Sequence, residues 1–195
     1  MDERLDRWLD LLLATPGLTA IRDRAEAWRV HVEESLRAVD VVRRFAGAVV
    51  DVGSGGGAPG IPLAVALPER EVTLLEANGR KCQFLREVAR EYPNVAVVHG
   101  RSEDQPTECF GVAVAKALAQ PPVAAEWCLP LVAPGGAAAL FVGPSADVDA
   151  LARVSERLGG GRPEDADGIV LLPKVEATPE GFPRRPGMAR KRPLA

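Results

Sequence analysis

Apolar residues along the first 45 positions recur at helical spacing. Leu5, Trp8, Leu9 and Leu12 follow i, i+3, i+4, i+7. Thr15-Pro16-Gly17 breaks the run, and Thr19 is placed to cap a second helix carrying Ile21, Ala25, Trp28 and Val32. A third face, Val32, Leu36, Val39 and Val42, runs out at Phe45-Ala46-Gly47. Residues 1–47 are therefore expected to form a helical cap. The period then changes. Residues 48–52 are almost wholly apolar, as a parallel strand buried on both faces should be. Further strands are expected at 72–76, 95–99, 112–116, 137–142 and 168–174. Helices are expected at 61–67, from the cap residue Asn78 to about 91, at 121–132 with Pro130 straining its end, and at 147–158.

Strands alternating with helices at these lengths give an α/β fold with a doubly wound, mostly parallel sheet. The sheet domain spans 48–176. Residues 177–195 are rich in Pro and Arg and are expected to be an irregular basic tail.

Composition adds limits. The chain has 195 residues, 47% hydrophobic, which suits one α/β domain with a small appendage. Cys82, Cys109 and Cys128 are odd in number and form no CxxC, which predicts a reducing, cytoplasmic compartment and no disulfide framework. No apolar run reaches the length of a membrane span, and Met1-Asp2-Glu3-Arg4 is too acidic to open a signal peptide. With only His31 and His99 and no paired cysteines, no metal is expected. Net charge is −3, but Arg184, Arg185, Arg190, Lys191 and Arg192 form a basic run whose removal leaves −8. That local cation on an anionic body makes these five residues candidates for holding a phosphate backbone.

Candidate chemistry gathers at the carboxyl ends of the strands, where open α/β sheets bind ligands. Asp51 is followed by Gly53, Gly55, Gly57 and Gly60, so strand, glycine loop and helix follow in order. Glu76 ends the second strand 23 residues after Gly53, a distance suited to accepting hydrogen bonds from ribose hydroxyls. Ser102 and Glu103 follow the third strand and Lys116 ends the fourth. The glycines alone leave two readings open. Gly53-x-Gly55-x-Gly57 behind an acid suits a ligand without pyrophosphate, whereas Gly55-x-Gly57-x-x-Gly60 is a dinucleotide spacing. The short chain, the absence of a second glycine loop and Ala96 four residues after Tyr92 weigh against a nicotinamide-dependent oxidoreductase.

Four stretches carry a resemblance. They are His31-Val32-Glu33-Glu34-Ser35-Leu36, the loop from Asp51 through Pro59-Gly60-Ile61-Pro62-Leu63, Thr73-Leu74-Leu75-Glu76-Ala77-Asn78-Gly79-Arg80-Lys81 continued by Phe84-Leu85-Arg86-Glu87, and the tail Phe182-Pro183-Arg184-Arg185-Pro186-Gly187 with Lys191-Arg192-Pro193-Leu194. Together they resemble the RsmG (GidB) family of class I S-adenosylmethionine-dependent methyltransferases, which methylate N7 of a guanine in bacterial 16S rRNA. The resemblance implies a Rossmann-like methyltransferase fold, S-adenosylmethionine as cofactor with S-adenosylhomocysteine as product, and 16S rRNA or the 30S particle as partner for a monomeric enzyme. It places Asp51, Gly53, Gly55, Gly57, Ala58, Glu76, Ser102, Glu103 and Lys116 around the cofactor, with Lys116 nearest a catalytic role and no general base required. It also marks departures. Lys116 stands where the family has Arg, Phe141-Val142-Gly143 lacks the family's Lys, and 159–168 is short, so the last edge hairpin is expected to be shortened or replaced by a loop. A diverged relative that binds cofactor or RNA with weak or no turnover is the alternative.

Overall fold

The computed structural model describes residues 2–143 and 145–195; Met1 and Pro144 lie outside the described residues. Seven strands form one sheet in the order β3-β2-β1-β4-β5-β7-β6. They are β1 (Val49–Val52), β2 (Val72–Glu76), β3 (Val95–His99), β4 (Phe110–Lys116), β5 (Val132–Phe141), β6 (Glu164–Asp165) and β7 (Ile169–Pro173). The first five run parallel, and β7 pairs antiparallel with both β5 and β6. The order reverses between β1 and β4. In that register Asp51 lies opposite Leu74 on one side and Val114 on the other, which lines up the carboxyl ends of β1, β2 and β4.

Alternation along the strands splits the core in two. Val49 and Leu74 face a cluster completed by the cap and by helices α5 (Gly60–Ala66) and α6 (Gly79–Ala89). Val50 and Val52 face a second cluster completed by α7 (Pro121–Cys128) and α8 (Val148–Arg157). All four residues of β1 are buried, which is why the strand reads as one apolar run. No helix among the described residues is long and apolar enough to cross a membrane.

The cap begins with α1 (Glu3–Ala14), which buries the predicted stripe Leu5, Trp8, Leu9 and Leu12. The next helix departs from expectation. Thr19 caps nothing; its hydroxyl lies 3.0 Å from His31 Nε2 and accepts from the Ile21 N–H. Helix α2 (Arg24–Trp28) starts later, capped by Asp23, whose carboxylate accepts from the Glu26 N–H at 2.8 Å. It passes through a wide π turn, Arg29–Glu33, into α3 (Glu34–Leu36) and then α4 (Val39–Arg43).

Two other expectations are corrected, and that of a shortened edge hairpin holds. The helix predicted to reach 132 ends at Cys128, and Leu129–Leu131 forms a 3₁₀ turn around Pro130. The edge hairpin is shortened but not lost. Its strand β6 keeps two residues, and Arg44 pairs with Glu164 while Arg37 pairs with Asp167, each at 2.8 Å. The tail is not wholly irregular: Met188–Lys191 forms a short helix, α9, and Phe182 and Leu194 pack against the second core cluster.

Trp8 is 1% exposed, and its indole N–H donates to the Gly56 carbonyl at 2.9 Å, so one residue joins the cap to the glycine loop. Trp8→Ala should lower stability by about 3–5 kcal/mol, the usual loss for a large aromatic removed from a core, as read by urea unfolding.

Candidate functional site

The chain leaves β1 at Val52 and crosses 53–59 before α5 begins. Two carboxylates hold this turn. Asp51, 1% exposed, accepts from the Gly60 N–H through Oδ2 at 3.0 Å. Glu76, at the end of β2, accepts from the Gly55 N–H through Oε2 at 2.9 Å and from the Asn78 N–H through Oε1 at 2.7 Å. Ser54 Oγ donates to the Asp51 carbonyl at 2.8 Å. Asn78 in turn caps α6, accepting from the N–H groups of Arg80 and Lys81.

Glycine is required at two of these positions. At Gly60 a Cβ would meet Asp51 Oδ2 at 2.8 Å and Leu74 Cδ2 at 2.3 Å. At Gly53 φ is +72°, which favours glycine, and a Cβ would also meet Leu118 Cδ1 at 2.3 Å.

Outside the carboxyl ends of β1, β2 and β4 lies a cleft of about 340 Å³. Gly53, Glu76, Ser102 and Glu103 line it, as predicted residues brought together by the topology. Ser102 and Glu103 sit on a 3₁₀ turn after β3, with Ser102 Oγ donating to Glu103 Oε2 at 3.2 Å. Asp51, Gly55, Gly57 and Ala58 do not line the cleft; they shape the loop. A Cβ on Gly57 would press on Ile61 and the Trp8 indole, so that glycine serves the seam with α1.

Lys116 is turned toward the cap. Its ammonium donates to the Val30 carbonyl, pairs with Glu34 at 3.3 Å and lies 5.6 Å from the centroid of the Phe141 ring. Burial pulls that ammonium below the ordinary lysine value, while the Glu34 carboxylate works against the shift.

Of the five tail cations, Arg184 is committed inward. Its Nε and Nη2 donate to the two oxygens of Glu126, each at 2.5 Å, and Glu126 is 3% exposed. Arg190 lies over the Trp127 ring, 5.0 Å from its centroid, and borders the cleft. Arg185, Lys191 and Arg192 are exposed.

The family model described as rRNA small subunit methyltransferase G matches residues 2–156. The chain belongs to this family. It is 36% identical over 200 residues to ribosomal RNA small subunit methyltransferase G of Moorella thermoacetica, covering 91% of this chain and 82% of that protein. Against the protein of the same name from Chloroflexus aggregans it is 35% identical over 212 residues, covering 98% and 89%. Among solved structures it is similar to M. jannaschii TYW2 in complex with AdoMet, with a TM-score of 0.55 at 17% identity over 73% of this chain and 72% of that one. A mutant of MtNAS in complex with S-adenosylmethionine gives a TM-score of 0.60 at 16% identity over 89% and 73%. At those identities the likeness is one of fold alone.

Three residues at or behind the cleft go unmarked in the sequence pattern read above: Leu118, Trp127 and Glu126. Glu126 did leave a signal of another kind. It is the one acid in Pro121–Cys128, otherwise free of charge, and a buried acid needs a cation. The arginine-rich tail was the available source.

Burial pushes the Asp51 carboxyl up to about 7 from 3.8, against the Gly60 N–H, which favours the charged form. Between those values the folded protein holds a proton that the unfolded chain releases. The stability from keeping Asp51 neutral is therefore full below about pH 4 and lost as pH rises toward 7. Asp51→Asn keeps an acceptor for Gly60 and should flatten that part of the stability–pH curve, measured by urea unfolding across the range. An unchanged slope would show that Asp51 titrates normally.

Proposed function

We propose that this chain transfers the methyl group of S-adenosylmethionine to N7 of a guanine in 16S rRNA, free or within the 30S particle, as a monomer in the cytoplasm. The observation that carries the reading is Glu76 beside the Gly53 loop in a chain of the methyltransferase G family. The cleft fits the cofactor. Each Glu76 oxygen accepts one backbone N–H, and a carboxylate oxygen has capacity for a second donor, which leaves room for two ribose hydroxyls. Gly53 brings the loop backbone to the cleft wall for the methionine end, with Ala58 in the same loop, and Ser102 and Glu103 flank the adenine. Asp51, Gly55 and Gly57 hold the loop that makes this possible. Bound there, S-adenosylmethionine supplies an electrophilic methyl group and leaves as S-adenosylhomocysteine.

The side chains present suit such a transfer. Guanine N7 offers an in-plane lone pair and carries no proton, so no general base is needed. What the protein must supply is alignment, which is catalysis by proximity and orientation. Arg185, Arg190, Lys191 and Arg192 hold RNA phosphates, which sets register without reading sequence. Arg184 fixes the tail that carries them. Lys116 brings positive charge to the end of β4 and joins it to the cap through Glu34.

One observation favours the second reading, a diverged relative that binds cofactor or RNA without efficient turnover. The Lys116 ammonium is already occupied by Glu34 and the Val30 carbonyl. Labelled S-adenosylmethionine incubated with unmodified 16S rRNA and with 30S particles decides between the two. The active reading expects label in one guanine as 7-methylguanine; cofactor binding without incorporation into either substrate would select the second. Glu76→Ala should weaken S-adenosylhomocysteine binding by about 10- to 100-fold in calorimetry, the loss of about 1.5–3 kcal/mol for hydrogen bonds to a charged group. Unchanged affinity would remove Glu76 from the ribose.

A further inference from the structure

The C-terminal segment has two sides with different chemistry. Its inner side is fastened to the domain at three points. The Arg184 guanidinium grips buried Glu126 on α7, the Gly187 N–H donates to Glu103 Oε1 at 3.2 Å, and Arg190 covers the Trp127 ring. Phe182 and Leu194 anchor the ends in the second core cluster, and Arg184 Nη2 also donates to the Arg192 carbonyl at 2.9 Å, closing the segment on itself. Gly187 and Arg190 border the cleft that also contains Glu76. Its outer side presents Arg185, Lys191 and Arg192 to solvent.

We infer that residues 182–194 form a strap that is one wall of the cofactor cleft, and that RNA held on its outer cations tightens cofactor binding through it. The inference rests on the cofactor and RNA reading above and adds the coupling between them. Helix α9 has only four residues and no stability of its own, so its order depends on the contacts on its inner side. Phosphates engaged by Lys191 and Arg192 would hold the same turn in place from outside. Ordering paid for by one ligand need not be paid again by the other, and the resulting coupling is reciprocal. Glu103 is the point of transmission, because one carboxylate both borders the cleft and accepts from Gly187.

Calorimetric titration of the full chain with S-adenosylhomocysteine, alone and with a saturating 16S rRNA transcript, tests this. In the unmodified protein the transcript should raise affinity by about fivefold or more. Arg184→Gln frees the strap and should weaken S-adenosylhomocysteine binding by about fivefold and abolish the enhancement. The surface pair Lys191→Ala with Arg192→Ala does not touch the core. It loosens the grip on RNA from outside, so a fixed transcript concentration should give little or no enhancement, and full enhancement would overturn the coupling even if Arg184→Gln does not fold. A transcript that binds without changing S-adenosylhomocysteine affinity overturns the coupling and leaves the proposed activity standing. Failure of the unmodified protein to bind S-adenosylhomocysteine overturns the cofactor reading and the coupling with it.

Discussion

Asp51 is nearly sealed from water, yet its Oδ2 accepts a hydrogen bond from the backbone of Gly60, nine residues on. That contact closes the turn between β1 and α5 and sets where the glycine loop can run. The rest follows from its position. Once Gly60 is fixed, the loop passes Glu76 closely enough for Gly55 to donate to it, and Gly56 comes within reach of Trp8. A buried carboxyl with one oxygen unpartnered is an expensive way to close a turn. Its benefit is a fixed course for the loop, which brings Gly53 to the wall of the cleft.

The two carboxylates divide the work by exposure. Asp51 is deep and serves the fold, whereas Glu76 reaches the cleft while still holding Gly55 and Asn78. The same Glu76 joins the loop after β1 to the cap of α6, so this end of the cleft is organised by backbone geometry on two adjacent strands. The cap and the tail close the site from opposite faces of the sheet. Trp8 acts through the first core cluster, while Arg184 acts through α7 and the second.

Features set by local pattern were legible in the sequence. Strands β1 to β4, β7 and the Asn78 cap each depend on neighbouring residues, and each appears within two residues of where the pattern put it, whereas β5 begins at Val132, five residues early. Features set by contacts far apart in the chain were not. Thr19 looked like a helix cap because nothing local shows that His31 would take its hydroxyl. Lys116 looked like a cleft residue because its partner Val30 lies 86 positions away, in a helix whose π turn has no clear sequence mark. The tail read as irregular because its main anchor, Glu126, lies 58 residues from Arg184 in the chain. The short edge strand survives for a similar reason: its support comes from Arg37 and Arg44 in the cap.

That edge strand has a consequence for the molecule in a crowded solution. A sheet that ends in a long, flat, apolar strand offers unpaired backbone to any passing chain. Here the sheet ends in Glu164-Asp165, two exposed acids, with arginines from the cap lying alongside. So short and charged a border gives another strand little to pair with. The shortening that looked like a loss from the fold therefore also guards it against edge-to-edge aggregation.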